Sequence, residues 1–105
     1  MGPKTKELSD NLEYIASELE EFGETRWREI IVLSKKLIED GDYFGIEKLQ
    51  SCFGGMGSLS DLVFHDAESS ANMSSETAAK NTRFHEALNK CYRLLDEISI
   101  DNRNA

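Results

Sequence analysis

Leu8, Leu12, Ile15, Leu19 and Phe22 follow one another at spacings of 4, 3, 4 and 3. That rhythm returns every side chain to one face of a 3.6-residue period. It predicts an amphipathic helix over about Lys6 to Phe22, with Gly23 placed to end it. A second helix is expected from about Glu24 to Asp40, its inner face made of Trp27, Ile30, Ile31, Ser34, Leu37 and Ile38. Gly41 stops it, as a left-handed cap does. Asp42 can cap a third, shorter helix through about Phe53, with Phe44, Leu49, Cys52 and Phe53 buried. Gly45 weakens its first turn. The last helix is expected from Ser74 or Ser75, either of which can cap it, to about Ser99. Phe84, Ala87, Leu88, Cys91, Leu95 and Ile98 form its stripe. Ile30 to Leu33 is a short apolar run inside a longer helical period, so no strand competes with it.

Between the third and last helices the pattern changes. Gly54, Gly55 and Gly57 fall within four residues, with Phe53 before them and Leu59, Leu62, Val63 and Phe64 after. Polar residues would flank a flexible linker. Apolar flanks point to a tight, partly buried corner that uses glycine for positive φ or close backbone approach. Ser58 and Asp61 have the spacing of a capping box, with Asp in place of the usual Glu or Gln. They predict a short helix from Leu59 to about Phe64 or His65. Residues 66–75 are small and polar and read as an exposed, mobile loop. The predicted fold is all-α: one domain over residues 1–105, an antiparallel bundle of about four longer helices and one short one. The ends, about 1–5 and 100–105, are expected to fray.

A glycine-rich segment feeding a helix N-terminus can hold phosphate. Here the P-loop lysine and hydroxyl pair is missing and the spacing is not G-x-G-x-x-G. A small ligand-binding or enzymatic domain using the Gly54–Gly57 corner, with Asp61 and His65 beside it, remains an alternative. His65 and His85 carry no metal-ligand spacing, so no metal and no cofactor are expected. Ser58 is not in a nucleophile elbow. Cys52 and Cys91 are too few for a disulfide framework and lie on apolar stripes, so buried free thiols are expected. The chain is not read as an enzyme.

Charge changes the picture most. The net charge is −8, which disfavours nucleic acid and anionic membrane surfaces as partners and favours a basic protein. No apolar run has the length of a membrane span, and no apolar signal region follows the first residues, so a cytoplasmic location is expected. From Glu7 to Glu24 there are seven acids and no Lys or Arg. At 100° per residue Asp10, Glu13, Glu20, Glu21 and Glu24 lie opposite the apolar stripe. Surface helices commonly alternate charge signs. Here like charges stand at i+3 and i+4, and Glu20, Glu21 and Glu24 crowd the expected C-terminal end, where cations would be favourable. Those five carboxylates are the candidate partner-binding residues, with the 66–75 loop as a second contact. A merely solvated face is the plain alternative.

Trp27, the Gly41-Asp42 break, the run Phe53-Gly54-Gly55-Met56-Gly57-Ser58-Leu59-Ser60-Asp61-Leu62-Val63, and Asn81 carry a resemblance to a family of small bacterial helical proteins. It covers roughly residues 24–98 and leaves most of the acidic helix outside. Small acidic proteins of this kind resemble the immunity proteins of contact-dependent inhibition and other polymorphic toxin systems. The resemblance implies a protein that binds a cognate toxin domain, often a nuclease, and blocks its active-site region. It supplies no catalytic residue. A helical regulatory or scaffold protein with no toxin is the other reading.

Overall fold

The structure, a computed structural model, describes residues 2–53, 58–64 and 74–103. Among these it contains α1 (Pro3–Glu21), α2 (Thr25–Glu39), α3 (Phe44–Gln50), a 3-10 turn (Leu59–Asp61) and α4 (Ser75–Arg103), and no strand. The expected all-α architecture is therefore present. α1 lies between α2 and α4, packed on both, and α3 bridges α2 and α4.

Helix ends follow local chemistry. Pro3 stands at the start of α1, where its missing N–H costs no hydrogen bond and its φ is already helical. The helix thus begins earlier than the apolar stripe alone predicts. Gly23 (φ 74°) and Gly41 (φ 80°) are left-handed. Each closes a Schellman motif. Gly23 N–H donates to Glu20 O and Glu24 N–H to Leu19 O; Gly41 N–H donates to Ile38 O and Asp42 N–H to Leu37 O. The Asp42 carboxylate accepts from the Phe44 N–H at 2.9 Å, starting α3. Ser74 Oγ accepts from Thr77 N–H at 3.2 Å and caps α4, one of the two serines expected to do so.

The α1 stripe of Leu8, Leu12, Ile15 and Leu19 is fully buried. It meets Ile31 and Ile38 of α2 on one side and Phe84, Leu88, Cys91, Leu94 and Leu95 of α4 on the other, in one continuous core. Ile46, Leu49 and Cys52 close it from the α3 side, with Leu59 and Phe64 beyond them. Trp27, Ile30 and Ile98 pack at its edge.

Other expectations change, among them the length of α3, which ends at Gln50 rather than about Phe53. Phe44 is 57% exposed rather than buried. Gly45 takes the inward place, because a Cβ there would stand 2.8 Å from Ser34 O and 2.9 Å from Ile38 Cγ1. The close approach to α2 fixes the rotation of α3 and turns Phe44 outward. The helix expected after the glycine corner is a single 3-10 turn, and Ser58 makes no capping bond. Its Oγ lies 2.7 Å from Ser60 Oγ instead. The chain then runs irregularly through Leu62–Phe64, because α4 takes up its backbone groups. Asn81 Oδ1 accepts from Phe64 N–H at 2.7 Å, Asn81 Nδ2 donates to Phe64 O at 3.0 Å, and His85 Nε2 lies 2.8 Å from Leu62 O. Lastly, α4 continues to Arg103 and does not fray from residue 100. Lys4 holds Asp101 at 2.9 Å, and Tyr43 and Gln50 hold Ser99.

Candidate functional site

Asp10, Glu13, Glu20 and Glu21 are exposed on α1, opposite its buried stripe. At 1.5 Å per residue they run along about 16 Å of the helix, with the exposed Ser17 between them. Glu24 is not part of this helix. Gly23 reverses the chain, and Glu24 becomes the half-buried N-cap of α2. There the helix dipole favours a carboxylate, so the crowding expected at the end of α1 involves Glu20 and Glu21 but not Glu24.

Cations from elsewhere in the fold reach most of this face. Lys6 lies 3.3 Å from Asp10, and Lys90 of α4 lies 3.1 Å from Glu7. Arg28 of α2 places Nε 3.5 Å from Glu20 Oε2, within ion-pair range but without hydrogen-bond alignment. Lys80 of α4 bonds Glu21, sits 3.9 Å from Glu76, and rests 5.6 Å from the centre of the Phe22 ring. The hydrogen bond to Glu21 holds the Lys80 ammonium above the ordinary lysine range, with the surrounding carboxylates adding to it. Lys6–Asp10 is an i,i+4 pair within α1, but the sequence could not reveal the pairs of Glu7, Glu20 and Glu21, because their partners come from other helices. Glu13 differs: it is exposed and, among the described residues, makes no ion pair or side-chain hydrogen bond.

Gly54, Gly55, Gly57, His65 and most of the 66–75 loop lie outside the described residues. Ser58 and Asp61 bracket the 3-10 turn, with Asp61 exposed. Cys52 and Cys91 are free and buried. Burial pushes the Cys91 thiol up to about 12, with Cys52 nearby a smaller cause, and burial also raises Cys52. Such thiols are neutral and poorly nucleophilic. Among the described residues no group of three or more His, Cys, Asp or Glu side chains is arranged to hold a metal ion. None of the described helices is long and apolar enough to cross a membrane.

Residues 20–71 match the model of a domain of unknown function (DUF6966). That span begins in the last turn of α1 and takes in α2, α3 and the 3-10 turn. Asp10 and Glu13 fall before it, and α4 falls after it. Neither a curated protein nor a solved structure matches the chain.

Proposed function

We propose that the chain is a non-catalytic protein-binding module whose α1 face docks on a basic surface. In this reading it is an immunity protein: the partner is a cognate toxin domain, most simply a nuclease, inhibited by blocking of its active-site region. A nuclease cleft is positive because it must hold phosphates. A carboxylate row on one rigid helix can steer association and exclude nucleic acid. The observation that carries the reading is Glu13. It is exposed in the middle of the row, with like charge at Asp10 one turn away and, among the described residues, no ion pair. The resemblance to immunity proteins supplies the toxin; the charge pattern supplies only a basic protein.

The structure also selects the variants for the test. Reversing Glu20 or Glu21 would break contacts with Arg28 or Lys80, and reversing Glu24 would place a cation at the start of α2. Glu13→Lys alters charge without those losses. The expected result is a native melting temperature, slower association with the toxin domain, a weaker salt dependence of that rate, and poorer protection of cells. Unchanged association by a folded Glu13→Lys protein would return the row to a solvated face and favour the scaffold reading.

A further inference from the structure

A second surface lies on α4, around Tyr92. Tyr92 is 60% exposed, the most open of the large apolar and aromatic side chains among the described residues. Phe53, at the exit of α3, meets it edge to face with ring centroids 5.7 Å apart. A hollow lies on either side of this pair. One, of about 210 Å³, runs past Leu88 toward His85, Asn89 and Ser60. The other, of about 240 Å³, runs past Leu95 toward Gln50 and Asp96. Both are lined by Phe53 and Tyr92, so the aromatic pair is a ridge in one furrow. Leu88 and Leu95 are buried and form its floor. Among the described residues no Lys or Arg lines either hollow. Asp96 is exposed, and among the described residues it has no cation or hydrogen-bond partner.

We infer that this furrow receives an arginine side chain of the basic partner. The inference rests on the reading that the partner is basic. An aromatic ring open to solvent, an apolar floor and one uncompensated carboxylate at the end of the slot match the three parts of arginine. The methylene stem covers Leu95 and Phe53, the flat guanidinium stacks against Tyr92, and its N–H groups pair with Asp96. Lysine fits less well, because an ammonium neither stacks nor forks. The furrow offers an aromatic anchor that becomes desolvated only when a side chain fills it. Interface energy concentrates in such anchors rather than in rim charges.

The experiment uses the ¹⁵N-labelled full chain, a hexa-arginine peptide, and a hexa-citrulline peptide as its uncharged counterpart, followed by amide chemical shifts. Expected are arginine-dependent shifts at Phe53, Tyr92 and Asp96, absent with citrulline. They should weaken about fivefold in Tyr92→Ala and in Asp96→Asn. Asp96 is exposed and unpaired among the described residues, so Asp96→Asn should keep the native melting temperature, whereas Tyr92→Ala loses the edge-to-face contact with Phe53 and should melt slightly lower while staying folded. Equal shifts with citrulline would overturn arginine recognition. Shifts confined to Asp10 and Glu13 would overturn the furrow and leave the α1 reading standing. Shifts confined to the furrow would support it and count against α1, and no shifts at either face would overturn both.

Discussion

At Gly45 two residue-level rules give opposite signs. Helix propensity favours alanine over glycine by about 1 kcal/mol in a helix interior. Packing opposes it, because the new Cβ would press on the Ser34 carbonyl at 2.8 Å and the Leu37 Cβ at 3.0 Å. Backbone cannot swing aside like a side-chain end, so overpacking should win. Gly45→Ala is expected to destabilise by about 1–3 kcal/mol, read as a fall in denaturant midpoint. A gain would show that α3 is free to move off α2. Nothing in the sequence around Gly45 announces this contact, which depends on how α2 and α3 cross. Cys91 was more legible, since its place on an apolar stripe already implied burial. Burial pushes its thiol from the ordinary value of 9.0 up to about 12 in the fold. The folded value is the raised one, so this contribution to stability is intact below pH 9 and is lost as pH climbs toward 12. The full loss approaches about 4 kcal/mol. Replacing Cys91 by Ala should therefore flatten the decline of stability between pH 9 and 11 relative to wild type.

Among the elements, the two helix ends at Gly23 and Gly41 could be read directly from sequence. A glycine just past an apolar stripe has few other uses, and both adopt the left-handed cap. The segment Leu62–Phe64 could not be read this way. Its backbone is stabilised from α4, by a side chain 17 residues away in sequence. The Asn81 amide presents one donor and one acceptor, as a neighbouring strand would. It thereby allows an irregular stretch to bury Phe64 between Phe22 and Phe84, with ring centroids 4.2 and 4.6 Å away. Removing that amide strands two buried backbone groups. Asn81→Ala is expected to cost about 2–4 kcal/mol. Hydrogen exchange should then accelerate at the Phe64 amide well before the α1 core. Unchanged protection there would mean that the aromatic stack alone holds the segment.

Across the whole molecule, the acidic row shows where sequence reasoning stops. The row itself was visible in the order of residues. Its partial neutralisation by Lys80 and Arg28 was not, because a helix bundle brings together charges that the chain keeps 59 residues apart for Lys80 and Glu21. These are exposed or half-exposed contacts screened by solvent, so they position charge more than they hold the fold. The central place of α1 has a kinetic consequence. α1 is flanked by α2 and by α4, Lys4 meeting Asp101 across 97 residues of sequence. The α1–α2 hairpin closes through a short loop and can form early, but it leaves the α4-facing half of the α1 stripe bare. Docking of α4 must await its own synthesis, after α2 and α3 have been made. Leu12→Ala and Ile31→Ala should accordingly slow refolding more than Leu94→Ala at equal loss of stability, and nascent chains ending before Ser75 should present a sticky apolar edge to chaperones.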